Sequence, residues 1–385
     1  MALVLGIDAG GSRTDAALAE VSGGELRVLA RAEAGSTKLL RVSEEHAARI
    51  WHELLSGLAS QARVSLLDVS GTCAGLSGHT VERVRLGALG RLRALVAGEI
   101  SLCGDEEIAL EAAFGSEDSL PSRKQNFLGD RRGLGDARSS GRLQNDEPGL
   151  HPGGERTKES PANWNFAPAG MNQSADMDRN QNAVLVIAGT GSHAVTRAAG
   201  VAFHAGGWGP ALGDEGSGYW IGREAVRQAL RARDERLPSL LLERIAQAWE
   251  CVDSASAVAE IVAKGHAQPP PDFSLLAPLV DQCAREGDHV SVVLLGRAGE
   301  ELARLAALAW AQSGRSSNAN VRIAWTGSVL REMKIVRDGM RAALWVQLPQ
   351  ARLDTESVDP VMGALHKAAA LVGCPVSGVA SVPNS

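Results

Sequence analysis

This 385-residue chain is poor in clustered cysteines, in excess positive charge and in long apolar runs. Its five cysteines (73, 103, 251, 283 and 374) are scattered, with no CxxC and no Cys/His cluster. That spacing offers no zinc or disulfide framework and suits small buried hydrophobes or free thiols in a reducing cytoplasm. Lys and Arg number 39 against 45 Asp and Glu, a net charge of −6, which argues against the basic face that broad nucleic-acid binding needs. No run approaches the roughly 18–20 apolar residues of a membrane span. The first apolar run is short, contains Asp8 and lacks a basic leader, so it does not read as a secretory signal. A cytoplasmic protein is expected.

What is present is a globular composition, 44% hydrophobic and 22% charged, in a chain too long for one ordinary core. Residues 3–7, 15–20 and 26–32 read as three successive strands joined by glycine-rich turns. Ser43 followed by two glutamates marks a helix start, and the spacing of Ile50, Leu54 and Leu58 carries the helix on. A buried strand in 66–78, a helix over 80–96, a strand at 99–105 and a further helix give the order βββαβαβα. Such an order predicts an α/β fold, a mixed sheet with helices on its faces.

Residues 116–181 contain no Val, Ile, Cys or Tyr and are rich in Gly, Pro, Ser, Asn, Asp and Arg. They read as a flexible low-complexity insertion between an N-terminal lobe (1–115) and a C-terminal lobe (182–385). At 183 the pattern of strand, glycine-hydroxyl turn and strand returns, an internal repeat of residues 3–21 that suggests duplicated lobes. Mainly helical sequence follows from 217 to 313, then a strand at 321–327, a helix over 329–343, a short strand near 345–348 and a closing helix from about 359 that completes the second lobe.

The first turn carries Asp8, Gly10, Gly11, Ser12, Arg13 and Thr14. Glycines let backbone N–H groups approach an anion closely, and hydroxyls donate to phosphate oxygens. A carboxylate beside phosphate requires a cation between them, which makes Asp8 a Mg²⁺ candidate. Taken alone, the motif fits an ordinary tight turn equally well. Gly189-Thr190-Gly191-Ser192 repeats the chemistry without the carboxylate, as a second phosphate clasp would. The segment GGWGPALGDEGSGYWIG (206–222) adds Trp208, whose flat face suits a sugar ring, and Asp214, an acceptor for hydroxyls. Trp220 reads as core. Asp105 opens a helix and suits an N-cap there as well as a general base.

In this order GIDAGGSRTDAAL, CGD before a helix, IAGTGSHA, GGWGPALGDEGSGYWIG, AREGD and TGSV resemble the N-acetylglucosamine kinase family, a BadF/BadG/BcrA/BcrD-type ATPase group. That family belongs to the actin-like, sugar-kinase and heat-shock-chaperone superfamily. The resemblance spans the chain apart from 116–181 and implies a two-lobed actin-like ATPase, with duplicated ribonuclease H-like domains and a cleft between them. It implies ATP and Mg²⁺, with phosphoryl transfer to the 6-hydroxyl of an amino sugar and Asp105 as general base. Asp8 would organise the metal; Gly10, Gly11, Ser12, Thr190 and Gly191 would hold phosphates. Ala284, Gly327 and Ser328 would flank the adenosine end. Thr37, Lys38, Ser192, His193, Gly207, Trp208 and Asp214 would border the sugar. A homodimer is the assembly to test; nucleic acid and membrane are not expected partners.

Two positions depart from the family pattern. Lys38 stands where an Asn usually meets sugar hydroxyls, and a lysine offers donors only. Lys38 turned to solvent is the plainer expectation; the sharper one is that it meets a carboxylate, as on N-acetylmuramic acid. His193 occupies a place often held by Asn, a milder change. Two rivals stand beside this reading, the first within the superfamily. An ATPase activator of acyl-CoA dehydratases needs cysteines for an iron–sulfur cluster, and a non-catalytic sugar sensor normally adds a basic helix-turn-helix domain.

Overall fold

A computed structural model describes residues 1–38, 42–115, 182–251 and 256–376, and the backbone of 378–379. The 116–181 insertion read from the sequence lies outside the described residues. Strands β1 (Ala2–Ala9), β2 (Arg13–Ser22) and β3 (Glu25–Gly35) form an antiparallel meander, and Ala9 pairs with Thr14 across the first turn. Helix α1 (Glu44–Ala62) starts where the sequence predicts: the Ser43 hydroxyl accepts from the His46 N–H at 3.2 Å, and Glu44 and Glu45 occupy the first turn. Its inward stripe buries Ile50, Trp51, Leu54 and Leu58. Then come β4 (Val69–Leu76), α2 (Glu82–Leu95), β5 (Glu99–Gly104) and α3 (Asp105–Phe114).

The second lobe opens with β6 (Ala183–Ala188), β7 (Ser192–Ala198) and β8 (Val201–Gly206). Helices α4 (Gly218–Glu235), α5 (Leu241–Ala248), α6 (Ala257–Gly265), α7 (Ala277–Arg285) and α8 (His289–Gln312) follow. The chain continues through β9 (Val321–Thr326), α9 (Ser328–Glu332), α10 (Lys334–Gln347), β10 (Ala351–Leu353), α11 (Pro360–Leu371) and β11 (Gly378–Val379). The sheets run β11-β3-β2-β1-β4-β5 and β10-β9-β6-β7-β8. Read from the meander outward, β3-β2-β1-β4-β5 and β8-β7-β6-β9-β10 are the same arrangement, so the two-strand repeat visible in the sequence extends to five strands.

Several elements differ from the sequence reading: the helix read over 329–343 is two, α9 and α10, and β11 adds an edge strand. The third strand of the second meander, β8, was not anticipated. Residues 345–347 are not a strand but the end of α10, with Leu348 its C-cap, because Val336, Met340 and Leu344 bury a helical stripe that outweighs the local apolar run; the next strand begins at Ala351. The closing helix, expected in the second lobe, packs on the first sheet. There Val361, Ala364, Leu365, Ala368 and Ala369 of α11 meet Val4, Ala17, Ala19 and Ile108. The approach to α3 is so close that a Cβ at Gly363 would stand 1.9 Å from the Ile108 carbonyl oxygen.

Helix α3 ties the two sheets together. Ile108 packs in the first lobe's core, while Ala109, Leu110, Ala113 and Phe114 pack with Ala183, Leu185, Val195 and Ala324 of the second. Arg322 donates to the Ala113 carbonyl at 2.9 Å, and all described residues lie in one compact unit. Whatever the N-terminus of α3 carries is therefore held against both lobes. Among the described residues, no helix is long and apolar enough to cross a membrane. Cys73 and Cys103 come together from neighbouring strands, sulfur to sulfur at 3.8 Å, as buried free thiols.

Candidate active site

The two glycine-hydroxyl turns, far apart in sequence, meet in space. Ser12 Oγ lies 2.8 Å from Thr190 Oγ1, within hydrogen-bonding distance. A Cβ at Gly11 would stand 3.1 Å from Thr190 Oγ1, tighter than nearly all real Cβ contacts, so glycine suits this approach. The second turn is held from behind by α4, whose Gly218 and Tyr219 N–H groups donate to the Gly189 and Thr190 carbonyls at 2.8 and 3.2 Å. Ser217 caps that helix by accepting from the Trp220 N–H, and Trp220 is buried as core. Gly327 caps α9, and Ser328 Oγ would lie 3.7 Å from a Cβ at Gly189, which places Gly327 and Ser328 at the rim of the second turn. Ala284 is buried within the second core on α7, and its neighbour Arg285 donates to the Glu332 carbonyl at the end of α9 (3.4 Å).

Carboxylates gather beside the first turn. Burial, then Asp105 and Asp15, push the Asp8 carboxyl up to about 7, with Arg13 opposing. Negative charge is thus concentrated where a divalent cation would relieve it. Among the described residues no three His, Cys, Asp or Glu side chains are grouped to hold a metal. The Asp8 carboxylate suits Mg²⁺, which commonly takes one or two carboxylates and completes its shell with substrate phosphates and water.

Asp105 is the first residue of α3, not its N-cap; Gly104 caps the helix, and its N–H donates to Glu107 Oε1 at 3.1 Å. Asp105 Oδ1 accepts from the Glu106 N–H at 3.1 Å, so the carboxylate sits on the positive end of the helix dipole. Burial raises its carboxyl, and Glu106 adds to the rise; His193, the Glu106 N–H and Lys38 pull it back. Lys38 does not turn to solvent. It is half-buried, and its Nζ donates to Ser77 Oγ at 3.2 Å in the loop that follows β4.

On the opposite side stand His193, Gly207, Trp208 and Asp214. Asp214 is buried and adopts φ +60°, a left-handed conformation uncommon outside glycine and tolerated by Asp. Its Oδ1 accepts from the Gly209 N–H at 3.3 Å. Burial raises its carboxyl, while the Gly209 and Ser192 N–H groups and His193 work the other way. A Cβ at Gly191 would stand 2.9 Å from Asp214 Oδ2, so the clasp and the pocket carboxylate are packed against each other. Trp208 is 64% exposed. Two hydroxyls expected at the sugar are engaged within the protein: Ser192 Oγ donates to the Glu215 carbonyl at 2.7 Å, and Thr37 pairs with Thr14 at 3.0 Å.

Sequence reasoning missed Glu106 and His204. Glu106 read only as a charge at a helix start, yet its Oε2 lies 2.9 Å from His193 Nε2 and its Oε1 3.3 Å from His204 Nδ1. No local pattern could have joined residues so distant in the chain.

A six-stranded and a five-stranded sheet that share the same five-strand arrangement, with helices on their faces, form the actin-like sugar-kinase fold. A family model for the BadF/BadG/BcrA/BcrD ATPase family matches residues 154–366, and the chain belongs to that family. It is 24% identical over 368 residues to an N-acetylmuramic acid/N-acetylglucosamine kinase of Clostridium acetobutylicum, covering 95% of this chain and 97% of that protein. It is 29% identical over 182 residues to an N-acetyl-D-glucosamine kinase of Dictyostelium discoideum, a match spanning 47% of this chain and 57% of that kinase. A candidate N-acetylglucosamine kinase from Chromobacterium violaceum shares the fold with a TM-score of 0.59 at 23% identity, over 97% of this chain and 99% of that one. A ROK family glucokinase from Streptomyces griseus, solved with glucose and AMPPNP, gives a TM-score of 0.50 at 12% identity, covering 95% of this chain and 99% of that one.

Proposed function

We propose that the protein is an ATP-dependent kinase that phosphorylates the 6-hydroxyl of an amino sugar, N-acetylglucosamine or its acidic relative N-acetylmuramic acid. The observation that carries the reading is the meeting of the two hairpins at Ser12 and Thr190, with Asp105 on one side and Asp214 on the other. Gly10, Gly11 and Ser12 cradle the terminal phosphates from one lobe, and Thr190 and Gly191 from the other. Gly327 and Ser328, with Ala284 behind them, border the adenosine end. Asp8 holds Mg²⁺, which when bound offsets phosphate charge.

Phosphoryl transfer asks little covalent help from a protein, so placement and charge dominate. Asp105 orients the sugar hydroxyl and takes its proton late in the transfer. Asp214 accepts from sugar hydroxyls, Trp208 carries the ring face, and Gly207 lets the backbone come close. Ser192 and Thr37, their hydroxyls committed within the protein, shape the pocket through position. His193 stands between Asp105 and Asp214. Closure of the lobes around both substrates excludes water from the transferring group. A cytoplasmic setting and a homodimer accompany this reading.

The inward turn of Lys38 favours a substrate whose substituent carries negative charge, which a lysine recognises and an Asn does not. The iron–sulfur rival draws no support from the cysteines: Cys73 and Cys103 pair inside the first core, and Cys283 is buried in the second. The test is an ATP-dependent phosphorylation screen over N-acetylglucosamine, N-acetylmuramate, glucosamine and glucose. The reading predicts transfer to at least one N-acetylated amino sugar well above glucose; ATP turnover indifferent to every sugar overturns it.

A further inference from the structure

Glu106 follows the candidate base on α3, and its carboxylate crosses to the second sheet. There it lies 2.9 Å from His193 on β7 and 3.3 Å from His204 on β8. The strands are antiparallel, with His193 opposite Gly206 and Val195 opposite His204. Residues two apart on a strand share a face, so the two imidazoles are diagonal neighbours on one face of the ribbon. One carboxylate from the first lobe thus lies within ion-pair distance of two imidazoles of the second.

The charges around His193 are known from each side. Asp105 and Glu106 face it from α3, and Asp214 from the loop before α4. His204 and Arg197 flank Glu106 from β8 and β7. Asp105 also feels Lys38 and Asp8. We infer that Glu106 and His193 are positioning residues for the reaction: Glu106 holds the His193 ring beside the carboxylates of Asp105 and Asp214, where its charge when protonated offsets theirs, and the pair links the two lobes. This rests on Asp105 being the base.

Electrostatics around the pair agree with that geometry. Burial works against a charged His193, yet Glu106, and beyond it Asp105 and Asp214, lift its imidazole above the ordinary value. Burial likewise works to raise Glu106, but His193, His204 and Arg197 bring it below the usual range. Removing His193 alone would take away a positive charge that lowers Asp105 and leave Glu106 beside it, offset only by His204 and Arg197. Asp105 would then hold its proton to higher pH, and a base that is protonated cannot accept the sugar's proton. Removing Glu106 as well would relieve that repulsion.

The test compares wild type, His193→Asn, Glu106→Gln and the double variant in two measurements. In the pH profile of kcat/KM on a sugar that wild type phosphorylates, the acid limb of His193→Asn moves up by about one pH unit, as loss of a close opposite charge predicts. The double variant moves back toward wild type. A merely structural role for His193 would lower activity evenly across pH, and the double variant would be no better than the single. An unmoved limb in His193→Asn, or no recovery in the double, overturns the inference. Histidine ring NMR provides a readout that needs no activity: the resonance missing from His193→Asn titrates at lower pH in Glu106→Gln than in wild type. An unchanged titration refutes the pairing even if no sugar is phosphorylated, so its failure is distinct from failure of the kinase reading.

Discussion

Ser12 and Thr190, separated by 178 positions, bring their hydroxyl oxygens to 2.8 Å of each other across the cleft. Each belongs to a hairpin turn of a different lobe, and each hairpin begins with the strand that centres its own sheet. The contact fixes the two halves of the candidate phosphate clamp at one point.

Ser12→Ala and Thr190→Ala should each lower kcat/KM for ATP, and together they should cost less than the sum. A hydrogen bond of this kind couples its partners by about 0.5–1.5 kcal/mol, a few-fold to about tenfold in the double-mutant cycle. Steady-state kinetics at saturating sugar measures it; strict additivity would mean that the hydroxyls act independently.

Asp8 predicts a gain in stability upon loss of function. Its folded carboxyl sits near 7 against an ordinary 3.8, so between those values the folded state holds a proton that the unfolded state has released. Stability of the ligand-free protein therefore falls as pH rises through that window. Asp8→Asn removes the penalty, raising ligand-free stability at pH 8 by on the order of 4 kcal/mol while leaving it little changed near pH 4. Thermal melts at both pH values check the sign, and the same variant should lose Mg²⁺-dependent phosphoryl transfer.

Gly191→Ala should damage both halves of the site at once. The added methyl would stand 2.9 Å from Asp214 Oδ2, a carboxylate fixed in a left-handed backbone, so it cannot simply turn away. We expect a fall in kcat/KM of about a hundredfold or more, since small misplacements of positioning groups carry costs of this size. Circular dichroism should show a folded protein.

Lys38→Asn tests the sugar. The substitution should lower kcat/KM for N-acetylmuramate relative to N-acetylglucosamine by about tenfold or more, the worth of one hydrogen bond to a charged group. An unchanged ratio would assign Lys38 to Ser77 and the base alone.

Much of this architecture was legible in local pattern. Ser43 with Glu44 and Glu45 announced α1, and the Gly-Gly-Ser and Gly-Thr-Gly-Ser turns marked both hairpins because glycine and hydroxyl chemistry is written into adjacent residues. What was hidden depends on distant pairings. The place of α11 on the first sheet is decided by small residues meeting α3, not by anything near position 359. Residues 345–348 look strand-like in isolation and are claimed by the end of the helix and its C-cap. At the site, the sequence leaves Lys38 between solvent and a substrate carboxylate until the fold places Ser77 beside it. Glu106 reads as a helix-start charge until β7 and β8 bring two histidines to its carboxylate.

The central claim is that Asp105 acts as the base of a sugar kinase, and Asp105→Asn tests it most directly. The variant keeps the size and helix-start position of the side chain but cannot take the hydroxyl proton. Rapid-quench measurement of phosphorylated amino sugar, with nucleotide binding followed in parallel, should show transfer reduced by about 10²-fold or more while ATP still binds. Transfer at the wild-type rate in Asp105→Asn would contradict the account.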